Sequence, residues 1–354
     1  MLMVYALKKL VQQQIMIFII LFASFLLIFI LSSYVVGRKW ESDWSSSSST
    51  PVSLRRCPNP NCIRCQRYQI VQQSARRRLP YLIREWEKKN NDKNAETVLH
   101  KVIEGVRIGP PPLPDSSKWK KMLVRQRQMK NASGQYPTVL FLPGLTVSPI
   151  VTQYHEEACR LLSPKATIKS VKESLMEEYL ASQFNGGVWQ MNDAGALEKG
   201  RNENQLWEVL YLLNQGKWIK ENTRSCCKTF SLVKKLSGLM DGCMFGNIFF
   251  SVLYPGTKIE EHCGPTNVRH RLHFPLLLPS KDNTHQRPML RVMSEKIQWV
   301  DNNTFVFDDS LIHAAEYPDN DASEVRVVLI IDLWHPDLSL DERQMISELY
   351  PSAT

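Results

Sequence analysis

The chain has 354 residues, 43% apolar and 22% charged, with Lys and Arg outnumbering Asp and Glu by 44 to 35. That composition excludes a disordered chain and allows one sizeable domain with an appendage. Residues 37–130 hold 21 Lys/Arg against 8 Asp/Glu, whereas residues 131–354 hold 21 against 27, so the folded part lacks the basic surface of a nucleic-acid reader.

Residues 1–14 form a short N-terminal segment. Next comes Ile15–Val36, "IMIFIILFASFLLIFILSSYVV", 22 residues without a charge. A helix crossing a bilayer needs about 20 such residues, and no small-residue cleavage site follows, so one uncleaved transmembrane helix is predicted. Lys8 and Lys9 before the span balance Arg38 and Lys39 after it. The sequons at Asn131 and Asn302, together with eight cysteines, point to a glycosylated C-terminal part in an oxidising lumen. A single-pass type II protein of the endoplasmic reticulum or secretory pathway is expected.

Residues 37–130 begin with a flexible "SSSSST" and Pro51, then "CPNPNCIRC". Cys57, Cys62 and Cys65 lack a fourth zinc ligand, and local disulfides are the simpler use. A basic helical stalk over 66–109 follows, suited to solvent or lipid headgroups, and ends at "GPPPLPD".

The main domain is assigned to 131–340, with a C-terminal tail at 341–354. A helix is predicted over 170–184. Strands are predicted over 247–254, 268–278, 289–293, 303–308 and 325–335, separated by short turns, which implies an antiparallel sandwich or open barrel with a ligand-holding mouth. Within "VRHRLHF" the period of two sends Arg269, Arg271 and His273 to one face, and Val268, His270, Leu272 and Phe274 to the other. Two guanidiniums and an imidazole on one face of a core strand call for an anion inside the barrel, unless the strand is a solvated edge.

His262 stands at a turn before that strand, His313 follows "TFVFDD", and Arg326 opens the last apolar strand. Two separated histidines with a late arginine match the layout of iron and 2-oxoglutarate oxygenases. "PGTKIEEHCGPTNVRHRLHFPLLLP", "FVFDDSLIHAAE" and "VRVVLIIDLWHP" resemble the catalytic domain of the aspartyl/asparaginyl β-hydroxylases over about 138–340. The anchor and cysteine stalk are similar to those of the smaller aspartate β-hydroxylase domain-containing proteins.

The resemblance implies a mainly β fold, a double-stranded β-helix (jelly-roll, cupin-like) with flanking helices behind one transmembrane helix. It implies a dioxygenase using Fe(II), 2-oxoglutarate and O2. His262 and His313 would hold the metal. Arg326 and Ser251 would take the far carboxylate of the co-substrate, and Arg271 and His273 its other end. Arg269, with Arg271, would meet the substrate. That substrate would be an Asp or Asn side chain of a protein, such as an epidermal-growth-factor-like module. Gly264 stands where most such oxygenases place a ligating carboxylate, as in this family. The family also has a cysteine near Cys226 and Cys227, which suggests a disulfide with an open partner. The competing reading is an inactive membrane-anchored module that keeps the carboxylate pocket.

Other residues receive plainer readings. His155 is expected at the surface, His270 facing away from the pocket, and His335 in packing or hydrogen bonding. His100 and His285 have no company. Asp308 and Asp309 are assigned to a turn beside His313, and Cys263 is not expected to bind metal.

Overall fold

The computed structural model describes residues 69–91, 93–110, 135–162, 168–184, 187–191, 206–279, 287–318 and 324–352. The span at 15–36, the 57–65 cysteine cluster and Asn131 lie outside them. Among the described residues no helix is long and apolar enough to cross a membrane.

Helices α1 (Gln69–Lys89), α2 (Ala95–Val98) and α3 (His100–Ile108) come first. After a short 3-10 turn (Thr152–His155) come α4 (Glu156–Leu162) and α5 (Ile168–Phe184). Then follow β1 (Gln190–Met191), β2 (Trp207–Asn214), β3 (Lys217–Trp218), α6 (Lys220–Ser225) and α7 (Cys227–Val233). The remaining strands are β4 (Ile248–Leu253), β5 (Lys258–His262), β6 (Arg269–Leu277), β7 (Met289–Val292), β8 (Glu295–Gln298), β9 (Phe305–Phe307), β10 (His313–Glu316) and β11 (Arg326–Trp334). Helix α8 (Leu340–Leu349) closes the chain.

The strands form two antiparallel sheets. The larger runs β1-β2-β4-β11-β6-β9, with β3 paired to β2, and the smaller runs β5-β10-β7-β8. "RVVLIIDLW" and "IFFSVL" are buried along their whole length, as suits central strands covered on both faces. At the other extreme, "EKIQ" in β8 is mostly exposed, and its charges discourage further strand pairing at that edge.

Alternation divides the large sheet between two cores. Leu210, Phe250, Leu272, Phe274 and Leu329 face the helical side, where Leu162, Leu175 and Val233 cover them. Phe249, Phe307, Val328 and Ile330 face the small sheet and meet Ile259, Leu290, Val292 and Ala315. Each such large side chain contributes about 1.5–3 kcal/mol on burial. The functional groups described below sit within this second interior.

Residues 69–108, expected in the stalk, share a third core with Leu142, Phe245 and the α8 residues Met345 and Leu349. Two of the arginines in "ARRR" are helix caps. Arg78 donates to the Glu348 and Leu349 carbonyls at the end of α8, and Arg76 to those of Val106 and Ile108 at the end of α3. The residues expected as a tail instead form most of α8, which opens with a reciprocal Ser339–Glu342 capping box.

The expected disulfide near Cys226 is corrected. All five cysteines among the described residues are free, and Cys226 is buried against the helical core. Its thiol is pushed up to about 12 by burial, with Glu178 adding to the effect.

Candidate functional site

The smaller sheet brings the two separated histidines together. His262 ends β5, His313 begins β10, and the register pairs them directly, with ring centroids 4.2 Å apart. His313 Nδ1 lies 2.8 Å from the Leu311 carbonyl oxygen, which only accepts, so Nδ1 carries the proton. The neutral ring therefore has its lone pair on Nε2, the arrangement that metal-ligating imidazoles adopt when a carbonyl orients them.

Gly264 explains why a third ligand does not come from its position. A Cβ there would stand 2.6 Å from Asp309 Oδ2 and 2.8 Å from Asp309 Cγ. The Asp309 carboxylate already fills that space, and the Asp309 carbonyl accepts from the Gly264 amide at 2.6 Å. Asp309 is held below the usual carboxylate range: burial alone would raise it, but the Arg269 and Arg271 guanidiniums outweigh burial.

Those two arginines belong to a buried, charge-balanced group. Arg269 donates to Asp309 (Nη2–Oδ2 2.5 Å), to Asp332 (3.1 Å) and to the Phe245 carbonyl. Arg271 grips Asp332 through Nε at 2.8 Å and Nη2 at 3.1 Å, and its Nη1 lies 3.6 Å from Asp309. Register makes this possible, because Asp332 on β11 stands directly opposite Arg271 on β6. The basic face was expected to call for an anion inside the barrel, and Asp309 and Asp332 supply that countercharge from within the chain. The assignment of Asp309 to a turn missed the ion pair.

Arg326 is different. It is 2% exposed, and among the described residues no carboxylate pairs with it. Its Nη1 reaches Ser251 Oγ at 3.4 Å and the Ser251 carbonyl at 3.5 Å, its face lies 4.6 Å over the Trp299 ring, and its Nε has no partner. Burial without an opposing charge pulls its pKa down to about 9. Ser251 Oγ also accepts from Trp207 Nε1 at 3.0 Å.

His273 completes the group. Its Nδ1 accepts from Trp299 Nε1 at 3.2 Å, while the buried Nε2 has no partner. Burial first, then the positive charges of Arg326 and Arg271, hold its pKa well below the ordinary value. A neutral imidazole, a hydroxyl and a buried guanidinium thus converge on one interior, a donor set suited to carboxylate.

The opposite face of β6 holds a second imidazole cluster. His270 Nδ1 lies 2.9 Å from His155 Nε2, and its ring centroid is 4.3 Å from that of His335. His335 donates from Nε2 to the Thr146 carbonyl at 2.9 Å and accepts from the Asp337 amide at 3.1 Å. His270 faces away from the pocket and His335 makes hydrogen bonds, as expected. His155 does not lie at the surface: it is buried because β6 presents His270 directly beneath it. No group of three His, Cys, Asp or Glu among the described residues is arranged to hold a metal, and this cluster is no exception.

Sequence reasoning passed over Asp332, Trp299 and the pairing of His155. Asp332 carried a usable signal, since it shares strand parity with Arg326. Trp299 carried none.

The sequence model of a family described as Aspartyl/Asparaginyl beta-hydroxylase matches residues 169–336, which include every site residue above from Ser251 to Asp332. Aspartate beta-hydroxylase domain-containing protein 2 of Homo sapiens is 29% identical over 94% of this chain and 83% of its own. Its Xenopus tropicalis counterpart is 34% identical over 61% of this chain and 55% of its own. The Homo sapiens Aspartyl/asparaginyl beta-hydroxylase is 31% identical over 45% of this chain but only 19% of its own length. Through residues 169–336, this chain is similar to the aspartyl/asparaginyl β-hydroxylase family.

Proposed function

We propose that this protein is an iron(II)- and 2-oxoglutarate-dependent dioxygenase that hydroxylates Asp or Asn side chains of protein substrates. The observation that carries the reading is Arg326: a fully buried guanidinium with no carboxylate partner among the described residues, next to Ser251 and sharing Trp299 with His273, whose Nε2 is unpartnered. Burying an unpaired charge costs several kcal/mol, and an incoming dicarboxylate offsets that cost. The interior between two antiparallel sheets suits the double-stranded β-helix implied by the family.

The metal set fits as well. His262 and His313 face each other across one strand pair, and the Leu311 carbonyl leaves His313 Nε2 as the donor atom. When bound, iron(II) supplies the oxidative chemistry: with 2-oxoglutarate and O2 it yields succinate, carbon dioxide and a hydroxylated C–H bond. The chain's own part is to hold and orient. Arg326 and Ser251 fix the far carboxylate of the co-substrate. His273 Nε2–H and Arg271 approach its other end, and Asp332 keeps Arg271 rigid. Arg269 and Arg271 are charge-balanced by Asp309 and Asp332, so their part toward an acidic or amide substrate group is to donate hydrogen bonds, while β-packed Phe249, Phe305 and Phe307 keep water out.

The predicted span at 15–36 and exposed Asn302, on a turn with φ 60, fit a membrane-anchored glycoprotein whose catalytic domain is lumenal. Endoglycosidase sensitivity of wild type against Asn302→Gln tests that placement.

The activity test uses the purified full-length chain with iron(II), 2-oxoglutarate and Asp- or Asn-containing peptides. Succinate release and peptide mass gain of one oxygen atom, both lost in His313→Ala, are expected. Turnover that survives His313→Ala overturns the metal assignment. A non-catalytic binder is the second reading, favoured by the blocked ligand position at Gly264. It predicts stabilisation by 2-oxoglutarate that is indifferent to iron and to His313→Ala.

A further inference from the structure

Trp299 follows β8 on the small sheet and is 5% exposed, yet it touches two groups of the large sheet. Its indole N–H donates to His273 Nδ1 at 3.2 Å, and the Arg326 guanidinium lies 4.6 Å over its ring. The indole and imidazole planes are nearly parallel, 9° apart.

An indole nitrogen only donates, so Nδ1 of His273 must accept. The proton of the neutral imidazole is then confined to Nε2, the buried atom that lacks a partner. Without that constraint both tautomers would be populated, and one of them would turn a lone pair toward an incoming carboxylate. Meanwhile the ring face under Arg326 provides cation–π contact and holds the guanidinium with its donors in plane.

We propose that Trp299 is a positioning residue that locks His273 as an Nε2–H donor and seats Arg326, so that the pocket accepts a fully ionised carboxylate. Its specificity consequence rests on the 2-oxoglutarate reading above. The tautomer claim stands apart from it.

The test is nitrogen-15 NMR of the full-length chain labelled at histidine, with His273→Gln used only to assign the His273 signals. In wild type, Nε2 should resonate as protonated and Nδ1 as unprotonated. Trp299→Phe keeps a ring face and deletes the N–H. It should give a mixture of tautomers and weaken 2-oxoglutarate binding about tenfold, the loss expected for one or two neutral hydrogen bonds. A protonated Nδ1 in wild type overturns the proposal without any variant. So does a Trp299→Phe chain whose His273 signals and affinity both match wild type. If wild type shows the expected tautomer but binds no 2-oxoglutarate, the positioning role stands and the dioxygenase reading fails.

Discussion

Asp309 occupies the space in which Gly264 would carry a side chain, with Oδ2 2.6 Å from the ideal Cβ position. The carboxylate is not free to swing aside, because Arg269 holds both of its oxygens. Gly264→Ala should therefore lower stability by about 1–3 kcal/mol, the usual penalty for overpacking. In an Asp309→Ala background the extra cost should vanish. A double-mutant cycle by chemical denaturation measures this coupling, and additivity of the two changes would contradict the steric account.

The buried arginines should respond oppositely to removal of charge. Arg269→Met leaves Asp309 and Asp332 short of a counterion and should cost about 3–5 kcal/mol. Arg326→Met removes a charge that has no acid to answer it, so the ligand-free chain should be no less stable than wild type. The same variant should lose all thermal stabilisation by 2-oxoglutarate. Differential scanning with and without that compound reads both effects.

Asp308 gives a pH signature. Burial pushes its carboxyl up to about 7, against hydrogen bonds from Ser310 and Gln135. A raised carboxyl stabilises the fold fully below its unfolded value, and that contribution is lost as pH rises through about 7. The stability of wild type minus that of Asp308→Asn should thus fall between acid and neutral pH, by at most about 4 kcal/mol. Urea midpoints at several pH values check the slope, and a parallel pair of curves would count against it.

The cluster behind β6 acts in the other direction. His155 is pulled down to about 4 by burial and by the nearby His335 and Arg343, and His270 and His335 are also lowered mainly by burial. Between the ordinary histidine value and about pH 4 the unfolded chain takes up protons that the fold refuses, so this contribution is present above that window and disappears through it. Measured in the Asp308→Asn background, thermal stability should drop steeply on acidification. His155→Gln, which keeps a hydrogen-bonding partner for His270 without titrating, should shallow that drop.

Much of the sheet could be read directly from alternation and apolar runs. The expected strands at 247–254, 268–278, 289–293 and 325–335 correspond to β4, β6, β7 and β11 within a residue or two. Strand β5 was hidden because "KIEEH" has one apolar residue, so His262 read as a turn residue. The alternation in β6 correctly placed Arg269, Arg271 and His273 on one face. Their partners were less legible, since Asp309 lies 40 residues from Arg269 and Asp332 lies 61 from Arg271, distances over which periodicity says nothing. Trp299 and His155 belong to the same class: only tertiary packing brings them to their imidazoles.

Strand β6 serves two masters, with odd-numbered side chains in the pocket and His270 among the histidines behind it. Inserting or deleting a single residue between Pro265 and Arg269 would invert the strand, turning the guanidiniums into the helical core and His270 toward the interior between the two sheets. Segment length here should accordingly be far less tolerant of change than residue identity at the exposed β8 edge. Natural variation in this stretch is expected to take the form of substitutions, never one-residue indels.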